Sequence, residues 1–189
     1  MKKILATTLI ATAAFSAVFA APVLKTQNDT VTVGGNAMYP RKNIVENAIN
    51  SKDHTTLVAA VKAAGLVDVL AGKGPFTVFA PVNSAFAMLP EGTVDSLLKP
   101  ENKDTLVKVL TYHVVSGRYD FNALRSLIQK NGGKADLTTV QGGKLMFTMN
   151  GSHNIQVMDE KGGTANISTY DVYQSNGVIQ VIDHVLMPN

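Results

Sequence analysis

The chain has 189 residues, 46% hydrophobic and 16% charged, which fits one folded domain and argues against disorder. The formal charge is +3, and setting aside Lys2 and Lys3 leaves 15 basic against 14 acidic residues, without the basic excess of a nucleic-acid binder. Cysteine and tryptophan are absent. That excludes a disulfide framework, a thiolate metal site, a thiol nucleophile and an acylated cysteine, and leaves the core to aliphatics, Phe and Tyr.

Lys2 and Lys3 form a short basic opening, followed by an apolar or small-residue run from Ile4 to Phe19. Val18-Phe19-Ala20 ends that run in the small-x-small style, which predicts a bacterial-type secretory signal peptide over residues 1–20, cleaved after Ala20. The run is shorter than the roughly 20 apolar residues of a membrane span, and Ala21-Pro22 follows it instead of a basic stop. No second apolar run follows, and Met187-Pro188-Asn189 is no lipid-anchor tail. The mature chain is therefore expected to be secreted or periplasmic, with no membrane span.

Residues 21–41 have weak periodicity and read as an N-terminal arm or linker, with a short extended piece at Thr30–Val33. Ile44, Val45, Ala48 and Ile49 recur at helical spacing and predict a helix over 43–50. Asp53 is the predicted cap of a helix over 54–64, with Gly65 just past its end and one more helical turn at 67–70. The period then changes. Thr77-Val78-Phe79-Ala80 is strand-like and stops at Pro81, and Asn83 is the predicted cap of a helix over 84–89. Helices follow at 94–98, 102–110 and 121–130, with Tyr112–Val115 read as extended.

The last third is strand-rich, at 135–140, 144–149, 154–157, 164–170 and 177–182. Leu145, Phe147 and Met149 alternate as in a half-buried strand, whereas Val178, Ile179, Val181 and Ile182 suit a strand covered on both faces. Helices early and strands late predict an α+β fold.

Three stretches stand out together. Gly74-Pro75-Phe76-Thr77-Val78-Phe79-Ala80-Pro81-Val82-Asn83-Ser84-Ala85-Phe86 leads to Leu89-Pro90. Leu110-Thr111-Tyr112-His113-Val114-Val115 follows. Asn176-Gly177-Val178-Ile179-Gln180-Val181-Ile182-Asp183-His184-Val185-Leu186-Met187-Pro188 closes the chain. In this order they resemble a fasciclin domain, over residues 42–189. The resemblance implies a β-wedge or sandwich flanked by short helices, a secreted single-domain bacterial member, and an adhesive, non-enzymatic role outside the cell. It implies no cofactor. Thr77, Phe79, Pro81, Asn83, Phe86, Val181, Asp183 and His184 are assigned to the structural motif.

Tyr112 and His113 are the candidate binding pair, since the family's adhesion motif implies a receptor contact here. The competing reading makes His113 an inward imidazole, hydrogen-bonded to the main chain and holding helix to sheet, as buried polar groups normally are. Ser84 follows a strand and precedes a helix, but Val82 and Phe86 stand where a nucleophile elbow needs glycines. Asp53-His54 and Asp183-His184 have the composition of base–orienter pairs, yet adjacent side chains are expected to diverge.

His54, His113, His153 and His184 lack metal-ligand spacing, and Asp159-Glu160 is expected to form a solvated turn. Gly72-Lys73-Gly74 is too short for a phosphate cradle. Asn28, Asn150 and Asn166 begin Asn-x-Ser/Thr triplets, which a bacterial host leaves bare. The expected function is non-catalytic adhesion to an extracellular protein or polysaccharide, without nucleic acid, cofactor or metal. Carriage of a small apolar ligand in a cleft is the alternative, and a hydrolase the third reading. Oligomeric state stays open.

Overall fold

The computed structural model describes residues 30–189, so the expected signal peptide and the Asn28 triplet's first residues lie outside the described residues. The described chain begins with a hairpin of β1 (Val31–Val33) and β2 (Asn36–Met38). Gly34 turns it at φ 60°, and a Cβ there would lie 2.6 Å from Ser51 Oγ and 2.7 Å from the Lys52 and Asp53 backbone nitrogens. Only glycine fits so close an approach. Val33 and Met38 are buried in the core, so this part of the expected arm belongs to the folded body. The extended piece expected at Thr30–Val33 is β1, whereas β2 is too short to show the alternation by which a strand is read.

Asn43 starts α1 (Ile44–Ala48) with a reciprocal capping box to Glu46. A 3₁₀ turn, Lys52–His54, leads into α2 (Thr55–Ala64), which ends at Gly65 in the left-handed conformation, as expected. Asp53 makes no capping hydrogen bond, contrary to expectation. Next come α3 (Val67–Ala71), β3 (Phe76–Pro81) and α4 (Asn83–Ala87).

Asn83 does not cap α4, which starts after Val82 with no side-chain cap. Its Oδ1 instead accepts from Thr56 N (3.1 Å) and Thr55 Oγ1 (3.2 Å), and its Nδ2 donates to Lys52 O (2.8 Å). The residue therefore caps α2 from across the fold. Phe86, in α4, is buried, and Leu89 packs beside it against the same core.

The remaining elements are α5 (Thr93–Leu97), α6 (Lys103–Tyr112), β4 (Val114–Ser116), α7 (Phe121–Lys130), β5 (Lys134–Thr138), β6 (Lys144–Asn150), β7 (Asn154–Met158), β8 (Thr164–Gln174) and β9 (Gly177–Ile182). A seven-stranded sheet runs β4-β3-β9-β8-β7-β6-β5. Next to the β4 edge, β3 and β9 are parallel, Phe76 facing Gly177 and Pro81 facing Ile182, so the first and third motif stretches share a sheet. The sheet curls until Val140 N donates to Val114 O (2.7 Å) and Val115 bridges to Thr139, which covers the β4 edge. β8 runs past the predicted Tyr170 because two register shifts break its alternation, with Asp171 at φ 58°.

The chain thus forms the α+β fold expected, a curled sheet with several short helices. Alternation along β3 and β9 sends side chains to two apolar clusters. Val78, Ala80, Ile179 and Val181 join Leu57, Val61, Leu106 and Leu110 under the early helices. Phe79 and Ile182 join Leu124, Ile128, Phe147 and Val157 beneath α7. Phe79 meets Phe147 with ring centroids 5.2 Å apart, and each buried ring is worth about 1.5–3 kcal/mol of burial. All six residues of β9 are buried, as a strand covered on both faces should be.

Candidate functional site

Tyr112 and His113 do not lie in a strand. Leu106, Val109 and Leu110 carry the helical pattern of α6 on to Tyr112, and His113 is its C-cap, at φ −84° and ψ 2°. Helix packing overrides the β-propensity of the Tyr-His-Val-Val run, so the two side chains are not spread over opposite faces of a sheet.

His113 is 3% exposed. Its Nδ1 lies 2.8 Å from Val109 O, and its Nε2 lies 3.0 Å from Leu186 N. A carbonyl only accepts and an amide N–H only donates, so these partners assign the proton to Nδ1 and leave Nε2 as acceptor. The His113 carbonyl also accepts from Phe79 N (2.9 Å). Burial lowers the imidazole pKa to about 4, against the weaker opposing pull of the Val109 carbonyl and the Asp159 charge.

Tyr112 is fully buried. Its hydroxyl donates to Lys144 O (2.8 Å) and accepts from Glu160 N (3.0 Å). Burial pushes the phenol up to about 12. The pair therefore ties the end of α6 to β3, to β6 and to the C-terminal segment.

Asp159 departs from the solvated turn expected of it. It is buried, and its Oδ1 accepts from Lys161 N (3.0 Å) and Gly163 N (2.7 Å). Its Oδ2 accepts from Met187 N (2.9 Å). His113 and Asp159 thus hold two successive amides of the C-terminal segment. A Cβ on Gly163 would sit 2.6 Å from Asp159 Oδ2, which explains the glycine. Asp-x-x-x-Gly is an Asx-turn signal visible in sequence, but the Met187 contact is not.

Asp183 and His184 also depart from expectation. Their side chains meet, with Nδ1 to Oδ1 at 2.8 Å, because the chain has left strand geometry after Ile182. Asp183 further accepts from Asn166 N (2.7 Å) and from Asn166 Nδ2 (3.0 Å). Burial pushes this carboxyl up, but the His184 and Asn166 hydrogen bonds outweigh it and hold it below the usual range. The side chains are 38% and 48% exposed, so the ion pair is a weak surface contact.

Other polar motif residues serve the interior. Thr77 Oγ1 donates to Gly117 O (2.7 Å) and accepts from Tyr119 N (2.8 Å). Asn176, which heads the third stretch but was given no role from the sequence, accepts from Ile44 N (3.0 Å) and donates to Leu70 O and Gly72 O (2.8 Å each). Ser84 is exposed on α4. His54 is buried, with Nδ1 2.8 Å from Ser51 Oγ. Its Nε2 has no well-formed hydrogen bond; the Ala80 carbonyl pulls on it, but burial prevails and lowers its pKa. It borders an apolar space of about 60 Å³ between the early helices and the sheet.

Among the described residues, no group of three or more His, Asp or Glu could hold a metal ion. Among the same residues, no helix is long and apolar enough to cross a membrane.

Fold and site together define a scaffold of the α+β class, whose conspicuous tyrosine, histidine and aspartate bind the chain to itself. The chain belongs to the fasciclin domain family, which matches it over residues 52–188. Protein sll1483 of Synechocystis is 44% identical over 165 residues, covering 87% of this chain and 84% of its own. Immunogenic protein MPB70 of Mycobacterium bovis is 35% identical over 146 residues, covering 75% of this chain and 66% of its own. The fold is shared with a FAS1 domain pair from the insect cell adhesion molecule Fasciclin I, at TM-score 0.70 and 18% identity. That alignment covers 79% of this chain and 52% of the other, so the chain spans about half of that structure's length.

Proposed function

We propose that the protein is a non-catalytic extracytoplasmic interaction module, adhering to a cell surface or matrix through protein or polysaccharide contacts. The observation that carries this reading is the fold shared with a cell adhesion molecule. The inward use of Tyr112 and His113 supports it from another side, since neither group is presented to a substrate. In this reading they are positioning residues that hold the C-terminal segment, and a partner meets exposed surface elsewhere. Export through a signal peptide over residues 1–20, followed by a short arm and one fasciclin domain, belongs to the same proposal.

The test is surface attachment. Purified protein is expected to bind the envelope or matrix fraction of its host, and deletion of its gene is expected to reduce biofilm and attachment. Protein that binds neither fraction, with attachment unchanged on deletion, overturns the reading.

A second reading, carriage of a small apolar ligand, rests on the apolar space beside His54. At about 60 Å³ that space is well below the roughly 300–1,000 Å³ of ordinary ligand pockets, which favours the adhesive reading. Native mass spectrometry of protein from its own host, showing a stoichiometric bound molecule, would reverse that preference. A hydrolase reading requires turnover on a panel of esters and glycosides.

A further inference from the structure

The sequence holds three Asn-Gly pairs, Asn131-Gly132, Asn150-Gly151 and Asn176-Gly177. Without a Cβ, glycine leaves its backbone nitrogen unshielded beside the preceding side-chain amide. The fold treats the three pairs differently.

Asn176 is buried, and both ends of its amide are engaged, by Ile44 N on one side and by Leu70 O and Gly72 O on the other. A Cβ on Gly177 would lie 2.2 Å from Phe76 O, so there is no room beside that nitrogen for a new ring. Asn131 belongs to the end of α7. Its N (3.2 Å) and its Nδ2 (2.9 Å) both donate to Leu127 O, and Gly133 N closes the helix on Ile128 O (2.9 Å).

Asn150 ends β6 and pairs with Asn154 across the turn. Asn150, Gly151, Ser152 and His153 are all exposed. Gly151 stands at φ 74°, and a Cβ built on it would meet nothing within 4 Å. The Asn150 Nδ2 reaches Asn166 Oδ1 only at 3.4 Å, beyond the usual length of such a bond.

We propose that Asn150 is a site of spontaneous deamidation, an irreversible modification of the β6–β7 turn. The Gly151 nitrogen attacks Asn150 Cγ and forms a C–N bond. The Cγ–Nδ2 bond breaks, and the amide nitrogen leaves as ammonia with the proton that Gly151 gives up. Water then opens the five-membered imide, and nothing is oxidised or reduced. Opening at Cγ yields aspartate, which sets an acceptor against Asn166 Oδ1 where a donor stood. Opening at the main-chain carbonyl yields isoaspartate, which lengthens the main chain by one atom at the Asn150–Asn154 pair. The reaction needs only water, so it stands apart from the adhesive reading.

The experiment ages the folded protein at mildly alkaline pH and follows the three sites by peptide mass mapping, with enzymatic methylation to detect isoaspartate. Asn150 is expected to convert first. Asn131 should be about threefold slower, held by its extra hydrogen bond. Asn176 should be at least about tenfold slower, because it must wait for local opening of the core. In denaturing urea, where the fold no longer distinguishes them, the three rates should converge to within about twofold. Asn150→Gln keeps an amide at the turn but disfavours the ring closure, and is expected to abolish conversion there with melting unchanged.

Conversion of Asn131 ahead of Asn150 in the folded protein overturns the assignment. Equal rates at all three sites before unfolding overturn it as well. So does an amide retained at Asn150 over a period in which the urea sample converts.

Discussion

His113 Nε2 accepts the backbone N–H of Leu186 at 3.0 Å, joining residues 73 positions apart. Through Nδ1 the same ring holds Val109 O at 2.8 Å, so one imidazole fastens the last turn of α6 to the C-terminal segment. His113→Ala leaves a buried carbonyl and a buried amide unpaired and opens a cavity. Its expected cost is about 3 kcal/mol or more, read from urea unfolding. A variant with unchanged stability but abolished envelope binding would instead make His113 a direct contact.

The same ring sets an acid dependence. Its folded pKa, lowered to about 4, lies below the ordinary value of 6.5, so the unfolded chain binds the extra proton first. The contribution is therefore fully present above pH 6.5 and is lost as pH falls towards 4. Its size is about 3 kcal/mol across that window. His54, also lowered by burial, acts in the same direction. Asp183, held below its usual 3.8, loses its contribution only at still lower pH. Unfolding midpoints measured from pH 7.5 to 4 should fall steeply, and more shallowly in His113→Ala.

Asp159→Ala removes the acceptor of three amides, those of Lys161, Gly163 and Met187. The expected loss is about 3 kcal/mol. Amide exchange supplies a local check: Met187 should lose protection more than residues of α2.

Asn83 and Asp53 form a matched comparison. Asn83→Ala removes the side chain that accepts from Thr56 N and Thr55 Oγ1, and should cost about 1–2 kcal/mol. Asp53→Ala removes an exposed side chain with no capping bond, and should stay within about 0.5 kcal/mol. Equal effects of the two substitutions in thermal unfolding would contradict the observed cap.

Much of the fold was legible because its longer elements are regular. The periodicity of 121–130 predicts α7 to the residue, and the apolar run at 177–182 does the same for β9. The extended piece at Thr30–Val33 anticipates β1, whereas its partner at 36–38 escaped because a three-residue strand carries almost no periodic signal. Tyr112 was misplaced because its β-propensity is local, whereas in the fold it continues the buried face of α6 formed by Leu106, Val109 and Leu110. At the candidate site, the Tyr-His pair was legible as residues, but their inward direction was not.

The amino-acid order alone determined which long segments become helix or strand and which three stretches mark the family, since these depend on local periodicity and turn chemistry. Only the tertiary structure decided what each polar side chain serves. Asn83 caps a helix 27 positions back, and Asp159 holds an amide 28 positions ahead. The physical reason is that a hydrogen bond requires its partners within about 3 Å, and that proximity arises only when distant elements pack together.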